Sequence, residues 1–378
     1  MFFWRANWEI HLWAGIILTL YVLVIGVSGS VLVLRSEIEQ LFGLKTWQSA
    51  RHAGAVADMI TVVKNVTAAY PRDHLVSVNA PSHDEATFVA ILDGRRRVKV
   101  ACAANDGHVL GEFRRMRTWL DVVQELHESL LLPRRDRGRM LNGIGAASLL
   151  LLNITGLVIW WPGIRNWKRP FLVDFRRNWR RINFDLHVAV GFWTILITSI
   201  WAISGIYFAW PRQIFLFVNS VSPIITARPP NIGVIPKTDA RKIDLSSLIA
   251  RAKKIDPGTS LGGITFPYGP RAPLAILMRR REAPGYEYTD TVYFNPYSGD
   301  YICTWRYGVN QSLGDWTIWS QIPLHFGTYW GPGVKVIWAL AGLCLPLLAI
   351  TGLLMYWNRV LRRRWKHLRK RRATPVAA

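Results

Sequence analysis

The residues with the most chemistry to offer are four histidines that recur in two copies of one pattern. Asn7-Trp8-Glu9-Ile10-His11-Leu12 opens one apolar segment, and Asn183-Phe184-Asp185-Leu186-His187-Val188 opens another. Ser28-Gly29 follows His11 by 17 residues, and Ser204-Gly205 follows His187 by the same 17. Leu126-His127 is answered by Leu324-His325, and the apolar segments after them end in Thr155-Gly156-Leu157 and Thr351-Gly352-Leu353. A lone histidine at a helix end is an ordinary interfacial or satisfied polar group. Four that repeat as two pairs point instead to metal ligation, because two neutral imidazoles can approach one iron from opposite sides.

The elements that must position these histidines are membrane helices. Hydrophobic residues make up 51% of the 378, mean hydropathy is +0.15 and there are 19 Trp, yet the formal charge is +23, so apolar and basic stretches must alternate. Four apolar runs are long enough to cross a hydrocarbon core, which takes about 20 residues: Ile10 to Leu34, Met140 to Trp161, Phe184 to Trp210 and Val334 to Trp357. Trp160, Trp161, Trp210 and Trp357 stand at their ends, where amphipathic rings favour the headgroup level. The first run is too long for a cleaved leader and is expected to stay as an anchor.

Short loops set the expected orientation. Arg165, Lys168, Arg169, Arg176, Arg177, Arg180 and Arg181 separate the second and third runs, and a tail from Arg359 to Arg372 carries no acid. Both are expected to be cytoplasmic, with both termini inside and two long loops outside. Arg134, Arg135, Arg137 and Arg139 lie on the outer side but are outnumbered. The basic loops read as topology signals and contacts to anionic membrane lipid, with no nucleic acid partner.

Each long loop reads as a small α/β module. A helical stretch (57–69; 245–254) is followed by prolines ten apart (Pro71 and Pro81; Pro257 and Pro267). An Ala-Ile-Leu strand (90–92; 275–277) and a hairpin turning at Asp106-Gly107 or Ser298-Gly299 come next. The domain plan is therefore a first span over 1–34, a module over 35–139, a second span over 140–162, a basic loop over 163–183, a third span over 184–210, a second module over 211–332, a fourth span over 333–357 and a basic tail over 358–378. The fold class is an α-helical membrane protein with four transmembrane helices in two parallel repeats, plus two small α/β modules outside. Cys102 reads as a buried strand residue, with a disulfide to Cys303 left open, and Cys344 as helix packing.

A histidine-headed membrane helix, a helix-plus-hairpin module bearing Val292-Tyr293-Phe294-Asn295-Pro296-Tyr297-Ser298-Gly299-Asp300, a Leu-His element and a helix ending in Thr-Gly-Leu together resemble the PepSY-associated transmembrane family. Size and two-fold repetition resemble its FoxB-type inner-membrane siderophore reductases. The first module departs from the pattern, with Ala101-Cys102-Ala103-Ala104-Asn105 where the hairpin is usually more aromatic. The resemblance implies a bacterial inner-membrane, multi-pass protein holding haem b. It also implies reduction of a ferric siderophore at the periplasmic face, with His11, His187, His127 and His325 as the matching histidines.

The repeat supports the same pairing on its own terms. Each copy contains two crossings, so both run the same way about an axis along the membrane normal. His11 and His187 are then expected at one depth near the cytoplasmic face, and His127 and His325 at another near the outer face. Pairing within one copy fails, because His11 to Gly29 spans about 27 Å of helix. Two haems per chain follow, one per face. Asn7 and Asn183 are expected as helix caps and Glu9 and Asp185 as first-turn acids, with either carboxylate able to orient an imidazole. Arg5, Arg180 and Arg181, and on the other side Arg134, Arg135 and Arg212, are candidates to neutralise haem carboxylates. Gly15, Gly26, Gly29, Gly191 and Gly205 leave room for helix packing or for a flat macrocycle.

Absences narrow the reading. The chain has no strand-borne Gly-x-Gly-x-x-Gly and no Cys-x-x-Cys-His, so electrons are expected from a cytoplasmic or quinol donor and the haem should not be covalently attached. Docking of the ferric chelate is expected in the cleft between the modules, with Tyr329 and Trp330 as contacts. Two rival expectations stand beside this one. The first is a haem-linked quinol donor to a periplasmic enzyme, and the second is a non-redox protein whose modules bind peptide or protease.

Overall fold

The computed structural model describes residues 2–42, 56–82, 87–94, 96–113, 118–161, 171–225, 229–232, 244–283 and 286–362. Four long helices carry the apolar runs: α1 (Phe2–Val33), α5 (Arg135–Trp160), α6 (Trp179–Ala209) and α10 (Pro332–Tyr356). All four are long and apolar enough to cross a membrane. A helix satisfies every backbone group within the segment, which hydrocarbon demands. At its 32 residues α1 runs about 48 Å, well beyond a hydrocarbon core of about 30 Å.

That excess length corrects the expected helix starts. Helix α1 begins well before Asn7, whose Nδ2 donates to the Phe3 carbonyl (2.9 Å) from inside the helix. Helix α6 is capped by Asn178, which accepts from the Arg181 N–H (3.1 Å), so Asn183 lies a turn inside. Glu9 and Asp185 are therefore not first-turn acids. The apolar pattern marks only the part that must sit in hydrocarbon, whereas the helices continue into polar flanks.

Within the bundle α1 packs on α10 and α5, and α6 packs on α5 and α10, so α1 and α6 stand on one diagonal of a four-helix ring. At Gly26 the α1–α10 contact is so close that a Cβ would lie 2.5 Å from Pro346 Cδ. Polar residues inside the bundle find partners across it, as Asn153 Nδ2 does with the hydroxyls of Thr198 (3.1 Å) and Ser199 (3.0 Å).

Beyond one end of the bundle lies a single eight-stranded antiparallel sheet. Its strands are β1 (His74–Asn79), β2 (Phe88–Asp93), β3 (Arg97–Cys102), β4 (Val109–Glu112), β5 (Ser260–Thr265), β6 (Leu274–Ala283), β7 (Tyr286–Phe294) and β8 (Tyr301–Trp305). They run in the order β4-β3-β2-β1-β5-β6-β7-β8. Each module supplies a four-stranded meander, with hairpins turning at Gly107 (φ 71°) and Gly299 (φ 75°) as the sequence predicts. No cleft parts the two in the sheet, because β1 and β5 pair directly through Ser77↔Thr265, Val78↔Ile264 and Asn79↔Gly263. Each module alone would leave one of these strands as an open edge, and joining them removes both edges. Helices α3 (Met59–Ala69) and α8 (Leu245–Ile255) cover the sheet, burying Val62, Val66, Leu248 and Ala252 in one core with Val78, Phe88, Ile264, Ile276 and Phe294.

Cys102 is buried opposite Phe88, as expected of a strand residue. It lies six strands from Cys303, roughly 29 Å at the usual strand spacing. The disulfide left open is thereby excluded, and both thiols are free.

Four shorter helices link sheet and bundle: α2 (Arg35–Leu41), α4 (Trp119–Ser129), α7 (Pro211–Val221) and α9 (Leu313–Phe326). Helices α4 and α9 both start with a capping box, Thr118 with Asp121 and Ser312 with Asp315. These two carry His127 and His325 down onto the sheet-side ends of the membrane helices.

Candidate functional site

The four repeated histidines meet as two pairs. His11 on α1 and His187 on α6 face each other across the bundle diagonal with ring centroids 6.3 Å apart and planes at 86°. His127 on α4 and His325 on α9 face each other at 6.3 Å and 65°. Two imidazoles bound to one metal through bonds of about 2.0 Å each have centroids roughly 6 Å apart, so both spacings suit a shared metal.

Hydroxyls decide which nitrogen of each ring points at its partner. Thr155 Oγ1 donates its one proton to the Leu151 carbonyl (2.8 Å), so toward His11 Nδ1, 3.1 Å away, it can only accept. Thr351 donates to Leu347 (2.7 Å) and faces His187 Nδ1 at 2.9 Å. Ser28 donates to Val24 (2.6 Å) and faces His127 Nδ1 at 2.9 Å. Ser204 donates to Ile200 (2.7 Å) and faces His325 Nδ1 at 2.7 Å. Every Nδ1 therefore carries the hydrogen, and every Nε2 keeps its lone pair for a metal. Burial pushes His127 down to about 4, against the opposing pull of Glu128 and the Ile25 carbonyl. Burial, aided by His127, pushes His325 to about 3, so both rings are neutral at neutral pH.

Glycines make space for the rings. A Cβ on Gly156 would lie 3.2 Å from His11 Cε1, one on Gly352 3.3 Å from His187 Cε1, and one on Gly29 3.0 Å from His127 Cε1. The other expected glycines divide between roles. Gly26 and Gly205 serve helix contacts, while Gly15 and Gly191 line a cavity of about 910 Å³ around His11 and His187. Its walls are mainly apolar, and Trp160, Arg180, Arg181 and Arg359 line it too. Trp160 Nε1 is buried there with no hydrogen-bond partner among the described residues. A planar amphiphilic group with two axial positions and an acidic edge, such as haem b, suits this donor set and cavity.

Several expected supports lie elsewhere. Glu9 accepts from Trp13 Nε1 (3.2 Å) and Asp185 pairs with Arg181 (2.9 Å), so neither carboxylate orients a histidine. Both point along their own helix, where an i,i+4 partner is nearest. Arg5 is not among the residues lining the cavity. On the sheet side Arg135 reaches Glu128 (3.5 Å), as does Arg139 (3.4 Å). Tyr329 packs on Trp319 (5.9 Å) and Trp330 (4.7 Å), and Trp330 stays 59% exposed. Phe208 (5.1 Å) and Phe326 (5.4 Å) both pack edge-on against His325.

The supporting hydroxyls were present in the repeat but not recognisable as partners. Ser28, Ser204, Thr155 and Thr351 stand in the matched Ser-Gly and Thr-Gly pairs, and this duplication was the signal that could have found them. Among the remaining histidines, His74 meets the Pro267 carbonyl (3.1 Å) and His108 meets Asp106 (2.7 Å), both at exposed positions. His52, His83 and His367 lie outside the described residues.

Four helices long and apolar enough to cross a membrane, an opposed imidazole pair between α1 and α6, a second between the shorter α4 and α9, and an antiparallel sheet beyond the bundle define a class of helical membrane protein. The chain belongs to the PepSY-associated TM region family, whose profile matches residues 8–359. No curated protein matches the chain.

Proposed function

We propose that this chain is a di-haem b reductase of the bacterial inner membrane that passes electrons across the bilayer to a ferric siderophore in the periplasm and releases Fe(II). The observation that carries the reading is the pair of 6.3 Å imidazole spacings with every Nδ1 held by a hydroxyl. The two pairs are held about 25 Å apart along α1, from His11 to the Ser28 that supports His127. Bound haem supplies reversible one-electron chemistry at each pair. The chain's own part is to hold neutral the four imidazoles that would bind the group, keep water from the bundle interior and set the two sites at opposite ends of α1.

The basic loop before α6 and the basic tail favour a cytoplasmic location for the His11–His187 end and a periplasmic one for the sheet. Electrons then enter from a cytoplasmic or quinol donor. One electron leaving at the sheet side converts Fe(III) to Fe(II), a poorer match for hard oxygen donors. With the modules joined as one sheet, the docking surface for the chelate is the aromatic cluster of Tyr329 and Trp330 at the α9–α10 turn rather than an intermodule cleft.

The test is a pyridine haemochrome assay on the purified full chain, with two haems per chain expected. His325→Ala should lose one haem and siderophore reduction while the other haem stays reducible by dithionite. A colourless chain would favour the non-redox peptide-binding reading. Two haems in a chain whose pre-reduced form leaves added ferric siderophore untouched would favour a quinol-linked donor to a periplasmic enzyme.

A further inference from the structure

The helices that carry the two sheet-side histidines end differently. Helix α9 closes on Gly327 at φ 67°, a conformation glycine adopts freely. Helix α4 closes on Leu130 (φ 54°) and Leu131 (φ 56°), the only non-glycine residues with positive φ among the described residues. In an L residue this brings Cβ against the following carbonyl, so two such leucines in a row persist only if the surroundings hold them.

What holds them is a clasp from the membrane helices. Near the end of α4 the Leu130 N–H bonds to the Leu126 carbonyl, Leu131 to Glu125 and Leu132 to Ser129, which leaves the carbonyls of His127 and Glu128 without a backbone donor. Asn142 Nδ2 on α5 donates to both, at 2.7 Å to His127 and 3.4 Å to Glu128. The Asn142 oxygen in turn accepts from Tyr21 OH (2.8 Å) on α1, the helix whose Ser28 holds the His127 imidazole. At Gly138 a Cβ would lie 2.1 Å from the Ser129 carbonyl, so α5 presses on the same turn. In the second half the matching His325 carbonyl is met by the indole of Trp201 (Nε1, 3.1 Å) and the Leu324 carbonyl before it by that of Trp338 (Nε1, 2.8 Å), and α9 exits through Gly327 rather than through non-glycine residues at positive φ.

We propose that Asn142, oriented by Tyr21, is the positioning residue that pins His127 against the strained exit of α4 and so keeps it facing His325. Loss of the clasp frees α4 to relax away from the bundle, and His127 is the ligand that moves. His325, His11 and His187 do not depend on it. This rests on the reading of the pair as axial ligands of a haem.

The experiment measures carbon monoxide binding to the dithionite-reduced full chain, because carbon monoxide binds iron only where an axial imidazole lets go. The wild type should bind little. Asn142→Leu should raise the carbon monoxide complex by about tenfold or more, the lower end of what loss of an outer support does to a metal site, and at one of the two haems only. Tyr21→Phe, which removes a single hydroxyl, should move it the same way by less, and this milder variant decides the matter if Asn142→Leu does not fold. Adding Leu130→Gly to either variant should bring binding back toward the wild type. A haem-replete variant that binds no more carbon monoxide than the wild type overturns the proposal and leaves the di-haem reading intact, as does equal gain at both haems. A wild-type chain without haem overturns both.

Discussion

At the scale of single residues, each of the four paired histidines has a supporting hydroxyl that can only accept from it. Thr155 is a direct case, since its own proton is committed to the Leu151 carbonyl. Thr155→Val keeps the shape but leaves the His11 Nδ1–H facing a methyl group, an unmet buried donor worth about 1–3 kcal/mol. We expect haem to leave the His11–His187 site roughly 10–100-fold faster in this variant, measured as transfer to excess apomyoglobin. Thr155→Ser, which retains the hydroxyl, should behave like the wild type. Equal release rates for Val and Thr would remove the hydroxyl from any role in holding the ring.

At the scale of elements, α8 ends on a carboxyl in an unusual place. Asp256 is its C-cap and is 4% exposed, with one oxygen 3.5 Å from Arg306 Nε. Fully buried Asp290 lies beside it, engaged with the Arg280 guanidinium and the Tyr307 N–H. Burial first, and Asp290 second, hold the Asp256 carboxyl above its ordinary range. The folded protein thus keeps a proton that the unfolded chain releases near about 3.9. This contribution to stability is full below that value and is lost as pH rises through the folded-state value. Asp256→Asn should remove this part of the pH slope and raise stability at pH 7 by about 1 kcal/mol, the scale of one buried polar contact. Melting temperatures across a pH series would show it, and an unchanged slope would mean that Asp256 is ionised in the fold.

For the molecule as a whole, the proposed orientation has the sheet and the exposed Tyr301 on the periplasmic side and Arg362 on the opposite side. In spheroplasts, a cysteine introduced at Tyr301 should react with a membrane-impermeant maleimide, and one at Arg362 should react only after lysis. The reverse pattern would invert the direction of electron flow. Variants of His74 and His108, both outside the two pairs, should keep both haems.

The sequence alone determined the four spans, the two small modules and the partnership of the four histidines. Spanning is a local property, because a run of about 20 apolar residues matches the hydrocarbon core whatever surrounds it. The histidine pairing was legible for a different reason: duplication writes equal depth into the chain. Only the tertiary structure decided which side chains support the rings. The rotation of α5 and α10 brings Thr155 and Thr351 to the imidazoles, and no spacing along one helix reports the rotation of another. The sheet was decided the same way. Either β1 or β5 read alone is an ordinary strand, and their pairing through Val78 and Ile264 is a contact between positions 186 residues apart that only the folded chain brings together.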